Sequence, residues 1–384
     1  MINDWQNSGF GVYIHWPFCL AKCPYCDFNS HVRADIDQTA WRDALVSEIR
    51  ETAKITGPRD VNTVFFGGGT PSLMPPETIT IIIAEINKVW GLNPGAEISM
   101  EANPTSVEAG RFAAFSDAGI NRLSMGIQAL NDTDLKALGR MHSAEDAIKA
   151  FDIAKKYFSN VSFDLIYARQ NQTLENWCNE LKKAIDMAVD HLSLYQLTIE
   201  NGTRFGDLYN RGKLRNLPDE AIATDMYFAT QDICGAAGMA GYETSNHCKN
   251  GKECLHNLNY WRYGDYAGIG PGAHGRLTIN GQRFASSTHL SPEKWLDEVK
   301  KTGLGRAEFE RLSTTDQAIE YLMMSMRLNE GADLARYESL AKTKLKTSVI
   351  NDLTSDGLIE NYRGNLRSTA KGKPLLNGIL RELL

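Results

Sequence analysis

The chain has 384 residues, 42% hydrophobic and 23% charged, with a formal net charge of −6. That is the composition of a globular protein too long for one ordinary core, so two domains, or one large domain with an appendage, are predicted. No apolar run reaches the length of a bilayer, which excludes helical membrane spans, and the acidic balance argues against a dedicated nucleic-acid binder.

In chain order, the first residues, Met1 to Gln6, lack the basic segment and apolar stretch of a signal peptide. A cytoplasmic address is expected, with peripheral membrane contact left open. Short β-rich runs follow at 11–15, 63–67, 97–103, 122–128, 161–167 and 191–198. Helical patterns lie between and after them, at 41–52, 76–90, 107–118, 144–157, 174–187 and 219–235. Six alternations of strand and helix predict parallel pairing through βαβ crossovers and an α/β fold curved into a partial (β/α)6 barrel. Ligands of such folds sit at the carboxyl ends of the strands. Residues 242–283 are rich in glycine and aromatics and read as a loop-rich extension, too irregular for regular elements and packed against the sheet edge. Helices are expected again at 315–328, 334–342 and 345–356, then a small hairpin around Tyr362, Arg363 and Gly364 and a last helix to Leu384, a pattern that resembles a winged-helix module. The expected divisions are 1–238, 239–312 and 313–384.

Three of the seven cysteines, Cys19, Cys23 and Cys26, fall in a Cys-x3-Cys-x2-Cys loop just after the first strand. Thiolates are the usual ligands of a cubane iron-sulfur cluster, and three of them cap three corners and leave one iron open. A zinc centre completed by His15 or His31 is the alternative; it normally needs four protein ligands. Seven cysteines in a chain of this length do not suggest a disulfide framework.

Further candidates fall at strand ends. Gly67, Gly68, Gly69, Thr70 and Pro71 end the second strand, where glycines either let backbone approach a ligand or form a tight turn. Glu101, Gln128 and Asp164 close the third, fourth and fifth strands, and Arg140 follows the fourth. Taken singly, each suits an ordinary capping or surface role.

The cysteine loop, with Tyr25 ahead of the third cysteine, resembles the radical S-adenosylmethionine superfamily. The resemblance implies a [4Fe-4S] cluster on Cys19, Cys23 and Cys26 whose open iron chelates S-adenosylmethionine. It also implies one-electron cleavage of a carbon-sulfur bond to give a 5'-deoxyadenosyl radical. By resemblance to the coproporphyrinogen-dehydrogenase branch, Tyr13, Tyr25, Gly68, Gly69, Thr70, Glu101, Gln128, Arg140 and Asp164 would contact S-adenosylmethionine.

Within that branch the chain looks most like the haem chaperones. A fourth cysteine of the dehydrogenases is replaced by Phe28, and the cysteine loop begins too early for their N-terminal extension. His256 and Tyr260 form the His-Asn-x-x-Tyr signature of the chaperones, which implies haem binding; imidazole and phenolate both ligate haem iron. Two hydrogen-bonding residues that pin the extension to the barrel are the alternative. Cys248 and Cys254 flank this segment as further haem ligands or as small buried residues, and His274 would line the pocket or serve a turn. The resemblance implies transfer of haem to respiratory haemoproteins, with propionate decarboxylation of coproporphyrinogen III as the rival activity. Whether the chain dimerises is left open, and no catalytic residue is assigned.

One departure concerns the turn after the fifth strand. It reads Ala168-Arg169-Gln170-Asn171-Gln172-Thr173 instead of a Gly-Leu-Pro-Gly-like turn, so its adenine contacts would differ. The tail as a DNA reader finds little support. From Ser339 to Leu384, eight Lys or Arg stand against four Asp or Glu, and the expected recognition helix carries Lys346 against Asp352 and Asp356.

Overall fold

The computed structural model describes residues 4–384; Met1 to Asn3, part of the segment read for an export signal, lie outside the described residues. The first strand, β1 (Phe10–Trp16), sets the pattern for the rest. Successive strand residues face opposite ways. Phe10, Val12, Ile14 and Trp16 are fully buried in one cluster with Trp41, Leu45 and Ile49 of helix α1 (Gln38–Thr56). Tyr13 and His15 face the other way.

Five more parallel strands follow in sequence order: β2 (Val61–Gly68), β3 (Leu92–Ala102), β4 (Arg122–Gln128), β5 (Asn160–Tyr167) and β6 (His191–Gln196). This is the predicted partial (β/α)6 arrangement. On each strand the apolar residues lie under the helices, for example Ile98 and Met100 on β3 or Phe163 and Leu165 on β5. The inner row carries Ser99, Glu101, Ser124, Ser162, Asp164 and Ser193, which line an interior chamber of about 180 Å³. A closed eightfold barrel fills this space with bulky branched side chains. Here polar side chains keep it open, and buried polar groups need partners, whether ligand or water.

The helices keep their predicted places, with one exception. The single helix expected over 107–118 is two pieces, Ser106–Ala109 and Phe112–Asp117, interrupted at Gly110 and Arg111.

The expectation that residues 242–283 lack regular elements is overturned. Strand β7 (Asn246–Cys248) pairs antiparallel with β6, and β8 (Asp265–Ile269) pairs parallel with β1. From β8 the sheet continues through β9 (His274–Ile279), β10 (Gln282–Thr288) and β11 (Arg306–Arg311), giving eleven strands in all. The extension therefore continues the sheet instead of packing against its edge. Its glycines obscured the strand signal, yet they serve the pairing: a side chain on Gly268 would collide with the backbone of His274. A buried ion cluster anchors this wing, with Asp265 bonded to Arg59 at 2.7 Å and Arg283 at 2.9 Å.

The last segment has helices Thr314–Ser325, Leu334–Ala341, Thr347–Ser355 and Leu376–Leu383. They surround a three-stranded sheet in which Asn365–Ser368 lies between Ala332–Asp333 and Ile359–Tyr362, so the predicted hairpin gains a short third strand. Tyr321, Leu322, Leu366 and Ile379 form a separate core there. Among the described residues no helix is long and apolar enough to cross a membrane.

Candidate functional site

The cysteine loop leaves β1 at Pro17 and closes on itself. Phe18 and Cys19 pair in parallel with His31 and Val32, and the His31 amide donates to Pro17 O across 2.7 Å. The glycine run at the end of β2 packs directly beneath it: Gly69 N donates to Trp16 O at 2.7 Å and Thr70 N to Phe18 O at 2.9 Å. A Cβ on Gly69 would lie 2.8 Å from Phe18 O, and one on Gly68, whose φ is +111°, would lie 2.7 Å from the His15 ring. These glycines thus make room first for the protein's own loop and β1, and only then for a ligand.

Each cysteine sulfur meets a polar partner from a different segment. Thr70 Oγ1 donates to Cys19 Sγ at 3.4 Å, Arg140 Nη1 donates to Cys23 Sγ at 3.3 Å, and Cys26 Sγ lies 3.7 Å from Ser30 Oγ. Hydrogen bonds to sulfur favour the thiolate and tune iron-sulfur clusters. The donor set therefore fits a cluster held by three thiolates. Among the described residues, no three His, Cys, Asp or Glu side chains converge on one metal ion. A cubane does not ask for that, because each thiolate binds its own iron. Of the two fourth ligands the zinc alternative would draw on, His15 is engaged at both ring nitrogens, Nδ1 3.2 Å from the Tyr13 hydroxyl and Nε2 2.9 Å from Asn29 O, and His31 is tied through Nε2 to Asn29 Oδ1 at 3.1 Å.

The three cysteines open onto a cavity of about 560 Å³ that collects the strand ends. Of the residues expected at a cofactor, Tyr25, Gly68, Gly69, Thr70, Glu101, Gln128, Arg140 and Asp164 all line it. Tyr13, His256 and Tyr260 do not; they border two adjoining chambers that share Glu101 with it. Several other lining residues had no ligand role in the sequence, notably Lys22, Phe28 and Ser30 of the cysteine loop and the run from Tyr195 to Thr198 at the end of β6. Their position in the cysteine loop or at the carboxyl end of a strand was the available signal.

Charge in the cavity is poised. Burial, with Asp164 nearby, pushes the Glu101 carboxyl up to about 8, and burial pushes Asp164 up to about 6 against hydrogen bonds from Ser193 and Ser124. Glu101 accepts from Gly68 N at 3.1 Å. Arg140 reaches Asn103 Oδ1 and Gly126 O, both at 2.7 Å, yet its buried Nε has no partner. That one buried N–H is left to satisfy, and a charged donor of this kind suits a carboxylate oxygen. Gln128 takes a left-handed backbone (φ 75°), a conformation that is held where surrounding structure over-determines it.

That support comes from the turn flagged as a departure. Arg169, 3% exposed, bonds Glu180 at 2.5 Å, Asp134 at 2.6 Å and Gln128 O at 3.4 Å, while Glu180 accepts from Leu130 N at 2.6 Å. Ala168 and Asn171 take positive φ around it. An ion-paired arginine thus fixes the turn without a Gly-Pro sequence.

The His-Asn-x-x-Tyr residues lie on the short helix Leu255–Trp261, whose first amides, on Leu255 and His256, donate to buried Glu97. His256 Nδ1 is 2.8 Å from Thr63 Oγ1 and Nε2 is 2.9 Å from Tyr260 OH. Burial lowers its pKa to about 3. Coordination of iron by His256 would first require breaking one of these bonds; as it stands, the pair pins the extension to β2. Cys254 donates to Glu97 at 3.3 Å, and burial pushes the thiols of Cys248 and Cys254 up to about 12, so both are protonated.

Against known proteins, residues 13–184 match the family described as the Radical SAM superfamily, and residues 312–375 match the HemN C-terminal domain. The chain is 37% identical to mouse "Radical S-adenosyl methionine domain-containing protein 1, mitochondrial", covering 97% of this chain and 87% of that protein. It is 36% identical to Escherichia coli "Heme chaperone HemW", covering 97% of each. The solved structure of E. coli coproporphyrinogen III oxidase (HemN), a radical SAM enzyme, superposes with a TM-score of 0.81 at 22% identity, covering 98% of this chain and 90% of that one.

Proposed function

Because the chain belongs to the radical S-adenosylmethionine superfamily, among the relatives of the HemW haem chaperones, we propose that it binds haem and passes it to acceptor haemoproteins of respiration. In this reading Cys19, Cys23 and Cys26 hold a [4Fe-4S] cluster, which when bound supplies an open iron and one electron. Arg140 supplies its positive charge and its unpaired Nε–H to the carboxylate of S-adenosylmethionine. Glu101 and Asp164 take its ribose hydroxyls, with Gln128, Tyr25 and the Gly68-Gly69-Thr70 backbone closing around the rest.

The observation that carries this assignment is the meeting of three cysteine sulfurs, each with its own polar partner, with Glu101, Gln128, Arg140 and Asp164 in one 560 Å³ cavity. Coproporphyrinogen dehydrogenation is the weaker reading, since Phe28 stands where a fourth cysteine would be. The division at 1–238, 239–312 and 313–384 is retained as a proposal, as are a cytoplasmic location and docking to membrane-associated acceptors.

Anaerobic reconstitution followed by haem titration tests the whole. About four irons and four sulfides per chain are expected, a spin-resonance signal altered by S-adenosylmethionine, and stoichiometric haem binding. Failure to bind haem, or turnover of coproporphyrinogen, would overturn the chaperone reading.

A further inference from the structure

Beside the main cavity lies a second chamber of about 320 Å³, bordered by Tyr13, His15, Phe28, Tyr260, Tyr266 and His274 and sharing Phe28, Gly68 and Glu101 with the first. Four histidines line the chambers next to the main cavity, and an iron ligand needs a ring nitrogen with a free lone pair. His15 and His256 have both ring nitrogens engaged. His191 has Nε2 bonded to the Tyr242 hydroxyl and an unpartnered Nδ1, but it is 3% exposed in the 180 Å³ chamber, which is too small for a macrocycle. The His274 ring makes no hydrogen bond and is exposed to the 320 Å³ chamber, whose mouth also carries the exposed ring of Phe28.

The backbone under His274 is fixed although its ring is free. It opens β9 directly after the turn through Gly270 and Gly272, which have φ of 99° and 81°. That turn is held from three sides: Gly270 N donates to buried Glu48 at 2.8 Å, Gly272 N to His289 O at 3.0 Å, and Ala273 N to Thr288 Oγ1 at 2.9 Å. A rigid backbone presenting an unengaged imidazole is the arrangement a metal ligand requires. Tyr13, Tyr260, Tyr266 and Phe28 supply aromatic surface for the face of a planar ring system.

We propose that the 320 Å³ chamber seats the haem and that His274, not His256, is the protein ligand to its iron. This rests on the chaperone reading above. Burial and Arg276 lower the His274 pKa, which keeps the ring neutral and ready to donate its lone pair at neutral pH.

The test is a hemin titration of the reconstituted protein followed by absorption and spin-resonance spectra. His274→Gly is expected to shift the Soret band and weaken hemin binding by about tenfold or more, with added imidazole restoring the band. His274→Gln is expected to weaken binding without the imidazole rescue, and His256→Gln to keep the wild-type spectrum. Iron and sulfide content and circular dichroism report that each variant is folded. Wild-type binding with an unchanged spectrum in His274→Gly would overturn this assignment and leave the chaperone reading intact. Absence of hemin binding by the wild type would overturn both.

Discussion

Arg140 donates through Nη1 to Cys23 Sγ across 3.3 Å while Nη2 bridges Asn103 Oδ1 and Gly126 O. One guanidinium thereby ties the cysteine loop to the ends of β3 and β4 and still has Nε unpaired. Lysine carries the charge but not the fork, so it cannot serve these acceptors together. Arg140→Lys is therefore expected to retain iron but to weaken S-adenosylmethionine binding by roughly ten- to a hundredfold, the equivalent of one charge-assisted hydrogen bond. The spin-resonance change on adding S-adenosylmethionine to the reduced cluster measures this; an unaltered titration removes Arg140 from the binding site.

The close approach of Gly69 to the cysteine loop has a cost for any side chain there. Backbone atoms of Pro17 and Phe18 lie within 3.0 Å of the position a Cβ would take, and neither can yield without moving the loop. Gly69→Ala should destabilise by about 1–3 kcal/mol through overpacking and lower iron incorporation with it. Gly235 lies inside helix Glu220–Ala236 with nothing within 4 Å of its added Cβ. Gly235→Ala should stabilise by about 0.5–1 kcal/mol. Urea midpoints at constant slope compare the two, and equal shifts would refute the packing argument.

The barrel strands were legible as short β-rich runs spaced by helical patterns, most of them alternating apolar and polar residues, and the cysteine spacing announced itself in the bare sequence. The β8–β11 wing was hidden because Gly268, Gly270, Gly272 and Gly275 read as loop, although strand pairing demands small residues at Gly268 and Gly275 and the turn between β8 and β9 needs positive φ at Gly270 and Gly272. Arg169 was hidden for a different reason. Its ion pairs with Asp134 and Glu180 join residues 35 and 11 positions away, and no local pattern encodes them. The engagement of both His256 nitrogens likewise depends on Thr63, from a distant strand.

Loss of any one thiolate from the trio should remove most of the iron, because a cubane with two protein ligands is poorly held. Cys19→Ala, Cys23→Ala and Cys26→Ala are each expected to reconstitute with little iron or sulfide. Cys178→Ser, on helix Leu174–Met187, and Cys248→Ala, whose thiol is protonated on the β7 edge, should reconstitute fully. Metal and sulfide analysis decides; wild-type iron in any of the first three would break the assignment.

Glu101 gives the ligand-free protein a stability that depends on pH. Its carboxyl is raised from 4.5 to about 8 by burial, so between those values the folded chain binds the proton and the unfolded chain releases it. The contribution is therefore fully present below about pH 4.5 and is lost as pH rises through 8. Asp164, raised to about 6, behaves alike over a lower window. Glutamine removes the ionisation while its oxygen still accepts from Gly68 N. Glu101→Gln should thus raise stability by about 2–4 kcal/mol near pH 9 and change it little near pH 4, whereas Asp164→Asn should flatten the profile mainly between about pH 4 and 6. Urea unfolding of the cluster-free chain across this range measures both, and parallel profiles for wild type and Glu101→Gln would show that this carboxyl is already ionised at neutral pH.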